Sequence, residues 1–244
     1  MAVGAIFDLD GTLVALRLDL RSAREEVIEE LGRRGYDTSV LDSSAYTQLI
    51  LDAAKSQTPK GEERRFEEAR RAAFDILDRF EAVGAGAAEL LPGVRDVLDQ
   101  LRRRGVKMAV LTNSGRNATA AKLENAGIGG YFEFVLTRDE TVLMKPAPEG
   151  VAMAAARLGL PGRSTYYVGD SPYDIQAAKA AGVRTVALAT GNHSVERLRS
   201  EGADCAVASA AELKSFFDGL ERQGRVSAFS RPMGQPDGLG DGRG

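Results

Sequence analysis

The 244-residue chain predicts an α/β protein, a doubly wound parallel sheet with an α-helical subdomain inserted near its start. Two observations carry this expectation. From Val106 onward, short unbroken apolar runs alternate with Ala-rich helical stretches, the pattern of parallel strands covered on both faces by crossover helices. Between the opening apolar run and Val106 lies a segment far longer than the dozen or so residues of a simple crossover, and its apolar residues recur every three or four positions.

In chain order, Val3 to Phe7 is the first strand, buried and central. The helical insert follows from Leu16 to Glu89: Leu20, Ala23, Val27 and Leu31 repeat at helical spacing, then Tyr46, Leu49, Ile50 and Ala53, then Phe66, Ala69, Ala73, Ile76, Leu77 and Phe80. "VGAGAAELLPG" reads as a hinge or a plain surface loop, and Pro92 and Gly93 mark the return to the core. The remaining strands are "VKMAVLT", "FEFVLT", "STYYVG", "VRTVALAT" and "DCAVAS", with helices at Arg116 to Ala126, Ala147 to Leu158 and Tyr173 to Ala181 between them. Residues 1–15 and 91–220 thus form the core and 16–90 the insert. The Gly-, Pro- and polar-rich segment 224–244 is expected to be disordered.

Composition narrows the function classes. A 43% hydrophobic content and a net charge of -3 suit a soluble globular protein, and no block of Lys or Arg offers a nucleic-acid or lipid footprint. No apolar run approaches the roughly 20 residues of a membrane span, and the start lacks the form of a signal peptide. The expected partner is therefore neither nucleic acid nor membrane, and the expected location is cytoplasmic. The lone cysteine, Cys205, sits in a strand-like run and reads as a simply buried thiol.

Chemistry gathers where strands end, the place where open parallel sheets bind ligands. "AIFDLDGT" puts Asp8 and Asp10 on one side of an extended chain, an arrangement of like charges that calls for a shared proton or a cation. "AVLTNSG" ends a strand in Thr112 and Asn113 before a helix start with free N–H groups; the plainer reading makes Thr112 a strand terminus and Ser114 a helix cap. "MKPAP" places Lys145 at a helix entrance, where a lysine is ordinarily solvated. "YYVGDSPYDIQAA" ends a strand in Gly169 and Asp170, with Asp174 four residues on and Pro172 suited to a first helical position, so both acids can face one point.

Together, and in this order, "DLDGT", "LTNS", Lys145 of "KP" and "GDSPYD" resemble the four motifs of haloacid-dehalogenase-superfamily hydrolases, from Ala2 to about Phe217. The insert resembles the small helical cap of the phosphoglycolate-phosphatase-like members, built on a Rossmann-like core. Two departures stand out: "LVALRLDL" where an Asp-Ser pair is frequent, and "KPAP" for the frequent "KPDP". The resemblance implies a phosphatase acting on a small phosphorylated metabolite. Asp8 would be the nucleophile that forms an aspartyl phosphate, Asp10 the acid and base, and Lys145 the neutralising cation. Thr112, Asn113 and Lys145 would hold phosphate oxygens. Asp8, Asp170 and the backbone carbonyl of Asp10 would bind Mg²⁺, with Asp174 orienting that metal site.

Dehalogenase relatives do not need a second aspartate as an acid, so Asp10 favours phosphate chemistry. A sugar phosphomutase or a pyrophosphatase fits the same motifs. Phosphonate cleavage uses a cap lysine, and Lys55 and Lys60 give no distinctive signal for it. A phosphate-accepting receiver domain lacks both D-x-D-G-T at its first strand and the long insert, and a scaffold without activity would be expected to have lost catalytic positions. His193 reads as a capping or surface residue, and Arg33 and Arg34 as solvated charges or as contacts for a substrate carboxylate or second phosphate.

Overall fold

The computed structural model describes residues 3–15 and 18–222; segment 224–244, expected to be disordered, lies outside them. Its six strands are β1 (Gly4–Phe7), β2 (Lys107–Leu111), β3 (Phe134–Leu136), β4 (Thr165–Gly169), β5 (Arg184–Leu188) and β6 (Cys205–Val207). All pair in parallel, in the order β3-β2-β1-β4-β5-β6. The first strand is thus interior, and the order reverses beside it, between β1 and β4. Phe7 pairs in register with Val110 of β2 and Val168 of β4, so the loops after these three strands leave the sheet at one level.

The strands are apolar throughout because both faces are covered. Ala5, Phe7, Val110, Val168 and Val186 turn toward α4 (Val94–Arg103), α5 (Arg116–Asn125) and α9 (Ala210–Arg222). Their neighbours Ile6, Ala109, Leu111 and Tyr167 turn toward α6 (Glu149–Leu158) and α7 (Pro172–Ala180). A short α8 (Val195–Ser200) packs Leu198 against Ala187 and Ala206. Cys205 lies half-buried in β6, where burial raises its thiol pKa. Among the described residues no helix is long and apolar enough to cross a membrane.

Between β1 and α4 stand α1 (Leu20–Arg33), α2 (Thr47–Ser56) and α3 (Glu63–Ala85). Ala23, Val27 and Leu31 of α1 meet Ala69, Ala73, Ile76 and Leu77 of α3 in an apolar cluster of their own. In α2 the buried face is Ile50, Leu51 and Ala54, one position on from the expected Leu49 and Ala53, and Leu49 is exposed. The spacing was sound, but a ten-residue helix leaves its phase to the packing partner. The expected hinge also shifts, since α3 runs through Val83 to Ala85. Chain entry and exit run side by side: Ala15 N–H donates to Glu89 O (2.9 Å) and Leu91 N–H to Leu13 O (3.0 Å).

The insert is pinned to the core by polar contacts absent from the sequence motifs. Arg138, after β3, is 1% exposed. Its Nη1 donates to Glu81 Oε1 of α3 (2.6 Å) and to Asn113 O (3.1 Å), and its Nη2 pairs with Asp78. The second Glu81 oxygen accepts Gly115 N–H at 2.9 Å. Burial raises the pKa of Glu81, against the pull of Arg138. Gln48 Oε1 of α2 accepts Met144 N–H at 2.8 Å, and Tyr46 packs edge-on against Tyr173. Removing one partner of a buried ion pair strands the other, at a cost of about 3 to 5 kcal/mol. Arg138→Met is therefore expected to lower the unfolding free energy measured in urea by that order, and adding Glu81→Gln to recover much of the loss; additive losses in the double mutant would show the pair is not coupled.

Candidate active site

The register of β1, β2 and β4 builds the site. Asp8 follows β1, its N–H bonded to Val168 O (2.9 Å); Thr112 follows β2 and Asp170 follows β4. Helix α7 then starts at Pro172 with a capping box: Ser171 Oγ accepts Asp174 N–H (3.3 Å), while Asp174 Oδ2 accepts Ser171 N–H (3.0 Å) and its hydroxyl (2.6 Å). The box fixes Asp174 on the first turn, and its carboxylate joins those of Asp8 and Asp170, with one oxygen from each within 4.8 Å of the others. Asp170 and Asp174 thus face one point as expected, whereas the expected companion of Asp8, the Asp10 carboxylate, is drawn away by Lys122 and Ser114.

Lys145 lies at the centre rather than in solvent. Its Nζ donates to Asp8 Oδ1 (2.6 Å), Asp174 Oδ1 (2.6 Å) and Tyr167 Oη (2.8 Å). Tyr167 in turn donates to Leu111 O at 3.0 Å. Burial opposes the lysine's charge, but Asp174 and Asp8 outweigh it and hold its pKa well above the ordinary value. Three carboxylates against one ammonium leave two negative charges in a buried space. Burial accordingly pushes Asp8 up to about 7, against Lys145 and with help from Asp174 and Asp10. Asp170 rises to about 8 through burial and the charges of Asp8 and Asp174, opposed by the Thr12 hydroxyl and by Lys145.

That excess is the charge of one divalent cation, and all-oxygen donors suit a hard ion. Two glycines make room for the Asp170 carboxylate itself. Gly11 has φ +85°, and a Cβ there would come within 2.5 Å of Asp170 Oδ2; a Cβ on Gly191 would also strike that oxygen. Asp170 Oδ1 accepts the Thr12 hydroxyl at 3.1 Å, while Oδ2 packs against the Gly11 and Gly191 backbone. The carboxylate of Asp10 stands apart from the cluster.

Asp10 instead meets a residue that no motif marked. Lys122 of α5 is buried, and its Nζ lies 2.7 Å from both Asp10 oxygens and 3.2 Å from Ser114 Oγ. Ser114 Oγ donates to Asp10 Oδ2 at 2.7 Å. Ser114 is therefore not the cap of α5, a position held by Gly115. Thr112 Oγ1 accepts Ser114 N–H at 3.1 Å, which leaves its own hydrogen for a ligand. Asn113 lines the cavity between core and insert. Its amide clamps the Lys145 backbone, Nδ2 donating to Lys145 O (3.0 Å) and Oδ1 accepting Lys145 N–H (2.9 Å), which leaves one Nδ2 hydrogen for a ligand.

Asp8, Asp10, Thr112, Ser114, Lys145 and Asp170 line one side of a cavity of about 290 Å³. Leu18, Leu20, Arg24, Tyr46, Leu77 and Glu81 of the insert face them. His193 lines its rim, and the cap of α8 is Ser194 instead. Arg33 and Arg34 stay outside the cavity, paired with Glu29 and Glu30 on α1. Lys122, Tyr167 and Arg138 lie within strands, helices or loops whose sequence shows only ordinary polar residues, so no local signal marks them.

A model of the haloacid dehalogenase-like hydrolase family matches residues 4–182. A phosphoglycolate phosphatase of Pseudomonas syringae pv. tomato is 35% identical over 196 residues, 77% of this chain and 70% of that one. The enzyme of the same name from Salmonella paratyphi A is 34% identical over 209 residues, covering 77% and 81%. A hydrolase structure from Pseudomonas syringae superposes with a TM-score of 0.64 over 89% of this chain and 99% of that one, at 22% identity, and so shows the shared fold. With the family matched across β1 to α7 and the acids gathered at one sheet edge, the chain belongs to the haloacid dehalogenase-like hydrolases, as a phosphatase.

Proposed function

We propose that this phosphatase hydrolyses a small phosphomonoester through an aspartyl-phosphate intermediate on Asp8, with the helical insert as its cap and 2-phosphoglycolate, named in its relatives, as the leading substrate. The observation that carries this is the buried Asp8–Lys145 pair beside Asp170 and Asp174, a nucleophile and a cation with an excess negative charge that invites a metal. Asp8, Asp170 and the main-chain carbonyl of Asp10 would hold Mg²⁺, Asp174 orienting them; bound there, the ion would offset charge on the phosphate oxygens.

Lys145 holds Asp8 Oδ1, so the other carboxylate oxygen attacks phosphorus while a proton passes from the Lys122 ammonium through the Asp10 carboxylate to the departing alcohol oxygen, to be restored by the water of the second step. A water then breaks the acyl phosphate, delivering its proton to Asp10 and regenerating Asp8. Thr112 donates its free hydrogen to a phosphate oxygen, and Lys145 balances the incoming charge. Lys122 and Ser114 keep the Asp10 carboxylate at a fixed place for both transfers.

The purified protein is expected to release phosphate from 2-phosphoglycolate with Mg²⁺, to stop on chelation, and to be silent as Asp8→Asn. Asp10→Ala should lose about a hundred- to ten-thousand-fold in kcat; near wild-type turnover in either variant would remove that residue from the mechanism. Lys122→Met should lower kcat by about 10- to 100-fold with little change in KM, and the loss should shrink on an aryl phosphate whose leaving group needs no proton. A uniform loss on both esters would make Lys122 a folding residue only.

The metal reading also has a pH signature. Asp8 and Asp170 hold protons in the folded chain up to about 7 and 8, against 3.8 for an ordinary carboxyl. Without metal, their contribution to stability is full below about pH 4 and is lost as pH rises through those values. Mg²⁺ competes with the same protons, so its rise in Tm is expected to be larger near pH 8.5 than near about pH 6. An equal rise at both would place the ion elsewhere.

A further inference from the structure

Arginines on the insert are answered almost everywhere by a neighbouring acid. Arg21 meets Glu25, Arg34 meets Glu30, Arg64 meets Glu68, Arg70 meets Glu67, and Arg79 meets Glu26. Arg24 of α1 breaks the pattern at the one place where it faces the cavity. It makes no hydrogen bond or ion pair among the described residues, and its Nε is buried without a partner. Its recorded neighbour is the Tyr46 ring, whose centroid lies 5.2 Å from the guanidinium carbon. Burial lowers its pKa, with Tyr46 opposing. A buried donor left unmade is costly, while an aromatic face fixes a guanidinium plane without using its N–H groups.

The other side of the cavity already has its cation. Lys145 is engaged by Asp8 and Asp174, and Thr112 and Ser114 supply hydroxyls beside it. Arg24 stands across from them on a wall that Leu18, Leu20 and Leu77 share with Tyr46 and Glu81; both Glu81 oxygens are taken by Arg138 and Gly115, so Arg24 is the charge on that wall without a counter-ion among the described residues. A neutral leaving group would leave that guanidinium unsatisfied once the cavity fills and water departs. A small anion would satisfy it through the paired N–H geometry that guanidinium offers to carboxylate and phosphate.

We propose that Arg24 determines substrate specificity by receiving a second anionic group, a carboxylate or a phosphate, carried on the leaving-group side of the phosphomonoester. This rests on the reading that the scissile phosphate sits at Asp8. The enzyme then selects small doubly anionic esters and discriminates against neutral ones of the same size.

Three esters of similar length test it: 2-phosphoglycolate, ethylene glycol bisphosphate and 2-hydroxyethyl phosphate. In the Mg²⁺-loaded wild type, at least one of the first two is expected to exceed the neutral ester in kcat/KM by about 10- to 100-fold. Whichever does so identifies the anion as carboxylate or phosphate. Arg24→Met should collapse that ratio, and Arg24→Lys should retain part of it. Because any folding defect scales all three esters alike, the ratio isolates the contact. An unchanged ratio in Arg24→Met, or no preference in the wild type, overturns the proposal. Calorimetric binding of the same esters to Asp8→Asn, with and without Arg24→Met, should show the same loss of preference without turnover. If no ester is hydrolysed yet binding still discriminates through Arg24, the catalytic reading fails and the anion site stands.

Discussion

One ammonium shared among three buried carboxylates sets the terms for the rest of the site. Lys145 reaches Asp8 and Asp174 at 2.6 Å each and leaves Asp170 to a single hydroxyl. Such a group is stable only if the lysine cannot drift, because a displaced cation would leave like charges facing one another in low dielectric. Several elements serve that end. Asn113 clamps the lysine backbone, Tyr167 receives its third hydrogen bond, and the capping box of α7 holds Asp174 in place. The parallel register of β1, β2 and β4 brings these contributors to one level. The remaining imbalance, two negative charges, is what a divalent ion would offset under the proposed reading.

The sheet and its acids were legible in the sequence because both follow from short-range rules. Apolar runs flanked by helical periodicity locate the strands, and the reversal of strand order beside β1 is where an open sheet collects its ligands. Asp8, Asp170 and Asp174 could be placed from strand ends and from the N1 proline of α7. Lys145 was legible as a motif residue but not as a buried one, since the groups around its Nζ come from β2, β4, α7 and the end of β1 rather than from its own segment. The same holds for Asn113: its type suits a phosphate loop, yet the residue it serves is 32 positions away.

What stayed hidden was every partner chosen by tertiary distance. Lys122 looks like an ordinary helix lysine, and only the packing of α5 beside the β1 loop puts it 2.7 Å from Asp10. Arg138 follows a strand and looks like the start of a polar turn, while its ion pairs lie 57 and 60 positions back. Arg33 and Arg34 drew notice through adjacency to a glycine, yet local glutamates answer them. Arg24 drew none, because an arginine in a charged helix is unexceptional until the missing acid is seen. The phase slip in α2 has the same origin, a short amphipathic stretch whose buried side is decided by α1 and α3.

The insert and the phosphate-facing loop are also one mechanical unit. Glu81 of α3 takes Gly115 N–H with one oxygen and Arg138 with the other, and Arg138 continues to Asn113 O. Asn113 is the residue that sets Lys145. Across the insert, α3 shares its apolar cluster with Val27 and Leu31, the same helix that carries Arg24. A displacement of α3 would therefore be felt at both ends, in the position of the anion-receiving guanidinium and in the loop that holds the lysine. Under the proposed reading, recognition of the leaving group and neutralisation of the phosphate would both rest on one buried junction, Arg138 with Glu81. The junction would then matter to the chemistry without touching the substrate, because an error there would misplace a substrate at both of its charged ends.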